Sequence, residues 1–263
     1  MQHTTPWSPG SLLEQSAPRV LVLQHSPIAP LGIWKTMLEV SGIGYEILRI
    51  DEQMAWPNNM PPAAYDAVIA LGGPQHVYEE NTYSFFAQER AFLHRVIEEE
   101  VPYLGICLGA QMLAAVVGAS VHKHTQAELG WTQVYLTEEG SDDPLFSHLP
   151  EVLNVYAWHE DAFALSPGAV LLASNRHTPH QAFRVGRYAY GLQFHMELHA
   201  AIIEQWLRLP EMQAQARAVL GDEGPRLLSW QSEPALRIYQ AQSRQLLANF
   251  LQMAEQRREQ VAA

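Results

Sequence analysis

Hydrophobic runs and helical spacings alternate along the first half of the chain. Val20-Leu21-Val22-Leu23 is a continuous apolar run, as in a strand covered on both faces. Pro27 and Pro30 break the chain, residues 31–40 have helical spacing, and Gly42 and Gly44 end that segment. Residues 45–50 and 66–71 read as a second and a third strand, the third closed by Gly72-Gly73-Pro74. Residues 84–100 read as a long helix with Phe85, Phe86, Phe92, Leu93, Val96 and Ile97 on its apolar side. Residues 102–106 form a fourth strand, and residues 110–117 the helix after it. Strands alternating with helices predict a parallel sheet with right-handed crossovers.

After residue 118 the pattern changes. Short strands are predicted at 119–124, 131–137, 153–158, 170–174, 181–185 and 188–194, in antiparallel or mixed pairing. The chain turns helical again from His199. Residues 209–234 read as helical pieces joined by turns, and Pro234 is expected to open a last helix running to about Arg258. No internal repeat or low-complexity segment appears. The expected organisation is a loosely held arm over 1–18, one α/β domain over 19–200 and a helical extension over 201–263 packed on the same domain.

Composition narrows the function. Of 263 residues 48% are hydrophobic, ample for a core, yet no stretch is long enough to span a membrane. The first 18 residues lack a basic start followed by an apolar run and do not read as a signal peptide. A single cysteine excludes an internal disulfide and fits a reducing, cytoplasmic setting. With 16 basic and 28 acidic side chains the formal charge is −12, which repels phosphate backbones and argues against nucleic acid as a partner. His122 and His124 share a strand face without further ligands nearby in sequence, so no metal and no cofactor is expected.

The lone cysteine, Cys107, sits in Gly105-Ile106-Cys107-Leu108-Gly109-Ala110-Gln111, where an apolar strand meets a helix. A side chain on such an elbow projects at the sheet edge, and the positive end of the helix favours a thiolate. A lone cysteine is more often a small buried hydrophobe; other residues reverse that reading. In Phe194-His195-Met196-Glu197, strand alternation points His195 and Glu197 the same way, about 7 Å apart along the backbone. His195 can then act as base toward the thiol while Glu197 orients the imidazole. The Gly72-Gly73 turn ends a strand, on the same sheet edge as Cys107 if both strands are parallel, so Gly73 N–H and the amide of Leu108 are candidate oxyanion donors.

These motifs, in this order, resemble the class I glutamine amidotransferases. The likeness covers about residues 19–200 and is greatest to the stand-alone group related to the glutaminase domain of GMP synthase. Trp158-His159-Glu160-Asp161 and Glu128-Leu129-Gly130-Trp131 resemble two further motifs of that group. The resemblance implies a flavodoxin-like, open, mainly parallel sheet with helices on both faces. It also implies a Cys107–His195–Glu197 triad that cleaves the side-chain amide of glutamine through a γ-glutamyl thioester. Gly73 and Leu108 would stabilise the oxyanion, and Gly72, Gln111, His159, Glu160 and Asp161 would border the substrate. Glutamine or another γ-glutamyl compound would be the ligand, and a synthase subunit would accept the ammonia. No nucleotide-activating motif is present in the sequence. Two other readings share these residues: hydrolysis of γ-glutamyl peptides or conjugates, and a non-catalytic glutamine-binding or regulatory subunit. The sequence departs from the family pattern at Met196, where proline is usual, and methionine gives up the stiffness a proline provides.

Overall fold

The computed structural model describes residues 18–52, 56 and 60–262, with the side chains of 52 and 230–235 left aside. The expected arm over 1–18 therefore lies almost wholly outside the described residues. Nine strands form one sheet: β1 (Arg19–Gln24), β2 (Gly44–Arg49), β3 (Ala67–Ala70), β4 (Tyr103–Ile106), β5 (Val121–Leu136), β6 (Val152–Phe163), β7 (Val170–Ser174), β8 (Ala182–Val185) and β9 (Ala189–Leu192). Their order is β2-β1-β3-β4-β9-β8-β7-β5-β6. The five strands from β2 to β9 pair in parallel. The four that follow pair antiparallel, as the change of pattern after residue 118 predicts.

Among the described residues, seven α-helices complete the fold: α1 (Ile33–Val40), α2 (Phe85–Glu98), α3 (Leu108–Val116), a single turn α4 (Glu138–Ser141), α5 (Ala200–Trp206), α6 (Pro210–Leu220) and α7 (Gly224–Ala262). Because side chains on a strand alternate, each parallel strand feeds two cores. Val20, Val22 and Ile69 pack with Trp34 and Leu38 of α1 and with Leu246, Leu247 and Phe250 of α7. Leu21, Leu23 and Val68 pack with Phe86, Phe92 and Leu93 of α2 and with Met112 and Leu113 of α3. A strand buried on both faces has no polar alternation to show, which is why β1 and β3 read as unbroken apolar runs.

The elements differ from the sequence expectation in three places. The strands expected at 119–124 and 131–137 are one 16-residue strand, β5, whose pairing with β6 shifts register between Lys123 and Glu128. That irregularity carries the polar residues that look like a break. The last helix starts at Gly224, not Pro234, because Pro225 fills a first-turn position where a missing N–H costs nothing. Finally, β9 ends at Leu192, so His195 and Glu197 do not sit on the strand. His195 is held by a lone antiparallel bridge to Tyr156 of β6 instead. No helix of the described residues is long and apolar enough to cross a membrane.

Candidate functional site

The carboxyl ends of adjacent parallel strands deliver the candidate side chains to one sheet edge, where open α/β sheets place their ligands. Cys107 follows β4, Gly72 and Gly73 follow β3, and His195 follows β9. Cys107 lies between β4 and α3 with φ 51° and ψ −102°. A positive φ in a non-glycine residue is a strained state that the surroundings must enforce. They do so from both sides: Cys107 N–H donates to Leu192 O (2.7 Å), and the Cys107 carbonyl accepts from Gln111 N–H (3.0 Å). The flanking glycines serve a different need, because the positive φ falls on the cysteine and not on them. A Cβ on Gly109 would stand 2.3 Å from Ala70 O, and one on Gly105 would stand 2.5 Å from the Gly109 backbone. Both glycines let α3 begin against β3 and β4.

The predicted triad residues converge. His195 Nδ1–H donates to Glu197 Oε1 at 2.6 Å, and both side chains are almost wholly buried. A Cβ on Gly72 would lie 3.6 Å from Cys107 Cβ and 3.9 Å from His195 Nε2, so thiol and imidazole flank one glycine. Burial opposes the charge on His195. The Glu197 carboxylate and the hydrogen bond with Cys107 outweigh it and raise the imidazole pKa to about 10. The edge of the Trp206 ring meets His195 at 5.2 Å between centroids. Cys107 Sγ lies 3.8 Å from both Trp158 O and Gln193 Nε2. Leu108 is the first residue of α3, where a helix leaves its N–H without an internal acceptor.

A cleft of about 390 Å³ opens over the sulfur. Gly73, Gln111, His159, Glu160 and Asp161 line it, whereas Gly72 lies behind, against His195 and Cys107. His159, Glu160 and Asp161 belong to strand β6. Asp161 accepts from His76 Nδ1 (2.6 Å) and Tyr78 OH (3.2 Å). His159 Nε2 stands 3.2 Å from Glu128 Oε2. Burial disfavours the Glu128 charge, but the adjacent His159 and the hydrogen bond from Asn175 Nδ2 (2.7 Å) outweigh it and lower its pKa to about 2. Trp131, in contrast, packs edge-on against Tyr156 and Tyr239. Among the described residues, the lining includes no lysine or arginine but three carboxylates, Glu160, Asp161 and Glu211.

Several site residues escaped the sequence reading. Trp206, Met212 and Gln215 form one wall of the cleft and come from α5 and α6. Gln215 accepts from Trp158 Nε1 (2.8 Å) and donates to Glu160 (3.3 Å). Behind the Gly72-Gly73 turn lies a wholly buried pair, His25 and Glu89. His25 Nδ1–H donates to Leu71 O (2.9 Å), and Nε2 stands 2.9 and 3.1 Å from the two Glu89 oxygens. Glu89 sits among the apolar positions of α2, where only its phase on the helix hinted at burial. Glu89→Ala leaves His25 without its counter-charge and is expected to cost about 3–5 kcal/mol in urea unfolding; a loss under 1 kcal/mol would show the pair to be dispensable. Among the described residues no group of three or more His, Cys, Asp or Glu side chains is arranged to hold a metal ion.

Residues 34–204 match the family model for glutamine amidotransferase class-I. The glutamine amidotransferase-like protein YfeJ of Salmonella typhimurium is 30% identical over 189 residues, 71% of this chain and 78% of that one. The glutamine-hydrolyzing GMP synthase of Bacillus subtilis is 35% identical over 133 residues, 50% of this chain but 24% of the synthase. Among solved structures, a glutamine amidotransferase from Thermotoga maritima superimposes with TM-score 0.79 at 30% identity, covering 90% of this chain and 99% of that one. The parallel half of the sheet, ordered β2-β1-β3-β4-β9, has the flavodoxin-like arrangement. By sequence and by fold, this chain belongs to the class-I glutamine amidotransferase family.

Proposed function

We propose that this protein hydrolyses a γ-glutamyl amide through Cys107, with glutamine as the reference substrate. The observation that carries this reading is the buried His195–Glu197 pair beside the thiol on a strained elbow. Cys107 passes its proton to His195 Nε2 and attacks the side-chain carbonyl carbon. The resulting oxyanion is received by the N–H groups of Gly73 and Leu108, one such donor being worth about 3 kcal/mol in the transition state. The imidazolium, held by Glu197, gives its proton to the departing amine, leaving a γ-glutamyl thioester. His195 then takes a proton from water, which attacks the thioester and releases glutamate. Asp161, Glu160 and His159 border the amino-acid end, where carboxylates suit an α-ammonium group. Gln111 borders the reacting end. A synthase subunit taking up the ammonia is the partner that the relationship to GMP synthases suggests.

One observation favours a second reading within the same chemistry. Trp158, Trp206 and Met212 build an apolar wall beside the sulfur, and a cleft of about 390 Å³ is in the range that holds ligands larger than an amino acid. A γ-glutamyl conjugate with an apolar amine would fill that wall. Turnover of glutamine and of γ-glutamyl anilides or peptides, measured side by side, separates the two. Conjugates should exceed glutamine in kcat/KM by about tenfold or more if the wall holds the leaving group, since burying one side chain is worth about 1.5–3 kcal/mol. No turnover of any γ-glutamyl amide would end both readings and leave a binding subunit.

A further inference from the structure

The family pattern places proline between the catalytic histidine and glutamate, and here that position is Met196. The expectation of lost rigidity does not match what surrounds the residue. Met196 N–H donates to Glu197 Oε2 at 3.0 Å, a bond that a proline could not make. With Oε1 taken by His195, both carboxylate oxygens of Glu197 are held. The backbone on each side is held too. Ser243 Oγ donates to Met196 O and accepts from Trp34 Nε1 (3.0 Å). Tyr239 OH accepts from Leu198 N–H (2.9 Å), and Glu197 O accepts from Ile33 N–H (2.8 Å). Tyr239 and Ser243 lie one helical turn apart on α7, on one face, and both are wholly buried.

We propose that Tyr239 and Ser243 of α7, together with the Met196 amide, form a clamp that positions Glu197 and, through it, the His195 ring. The clamp supplies through hydrogen bonds the rigidity that the family pattern obtains from a proline ring. Tyr239 and Ser243 are positioning residues, since neither borders the cleft. The proposal rests on the triad reading above. It predicts a counter-intuitive result: installing the family proline should impair this chain, because it removes the bond to Glu197 Oε2.

The test compares Tyr239→Phe, Ser243→Ala, Ser243→Thr, Met196→Ala and Met196→Pro with the wild type. Tyr239→Phe and Ser243→Ala should each lower kcat by about tenfold with KM within about twofold, as expected when a catalytic group is slightly misplaced. Ser243→Thr, which restores the hydroxyl, should recover most of the loss. Met196→Ala keeps the amide, so Met196→Pro should be at least about tenfold slower than Met196→Ala. An activity-independent readout is the proton NMR signal of His195 Nδ1–H. Its 2.6 Å bond to Glu197 should give a low-field resonance that moves upfield and exchanges faster in Tyr239→Phe and Met196→Pro. The proposal is overturned if those two variants keep the wild-type resonance, or if Met196→Pro is as active as Met196→Ala. Failure of the triad reading has a different signature: the wild type itself turns over no γ-glutamyl amide, while the resonance still reports on the clamp.

Discussion

Cys107→Ala should lower γ-glutamyl amide hydrolysis by at least about 10⁴-fold while leaving the fold and KM nearly unchanged. The loss is large because no neighbouring group can replace the sulfur. Cys107 is the only cysteine in the chain, and the side chains beside it offer an imidazole already committed to Glu197 and the amide of Gln193. The fold should survive because the elbow backbone is held by Leu192 and Gln111, not by the thiol. Steady-state turnover alongside thermal unfolding checks both halves. A variant that keeps a tenth of the activity would remove Cys107 from the mechanism. In the proposed mechanism His195 stays protonated to release the amine, so kcat should fall as pH rises through about 10. Stability follows the same group. A histidine at about 10 in the folded state and 6.5 unfolded contributes fully below 6.5 and loses that contribution as pH rises toward 10. The slope should be shallower in His195→Gln, the remainder coming from His25, whose charge Glu89 also favours.

Gly109→Ala should lower stability and turnover together. Its Cβ would meet Ala70 O at 2.3 Å and Ala70 C at 2.9 Å, and both belong to the backbone of central strand β3. Overpacking of this kind costs up to about 3 kcal/mol, whereas alanine gains at most about 1 kcal/mol in helix propensity over glycine. The clash wins by about 2 kcal/mol. Relief requires α3 to back away from the sheet, which carries the Leu108 amide and Cys107 with it. A shift of about 1 Å at reacting groups costs on the order of 100-fold in rate. Urea unfolding and kcat should therefore fall together. Wild-type values for either would mean that α3 and β3 approach less closely than 2.3 Å implies.

Much of this was legible in the chain itself. Val20 to Leu23 announced a doubly covered strand, and Cys107, His195 and Glu197 announced a candidate site, because local pattern and spacing encode both. What stayed hidden depends on partners distant in sequence. Glu89 looks like a solvated helix position until His25, 64 residues away, is placed beside it. Trp206, Met212 and Gln215 look like ordinary amphipathic positions until α5 and α6 fold over the sulfur. The departure at Met196 was visible, but its meaning was not: Tyr239 and Ser243 sit more than 40 residues downstream.

The wall of the cleft has a consequence for how the protein is made. Every reactive group precedes Trp206, Met212 and Gln215 in chain order, and α7 comes last of all. A ribosome therefore adds Trp206, Met212 and Gln215 9, 15 and 18 residues after Glu197, the last member of the proposed triad, a delay on the order of a few seconds. During that interval a nascent chain would carry its one thiol without a roof, open to soluble disulfides and other electrophiles. Synthesis delivers the nucleophile first and its selectivity last.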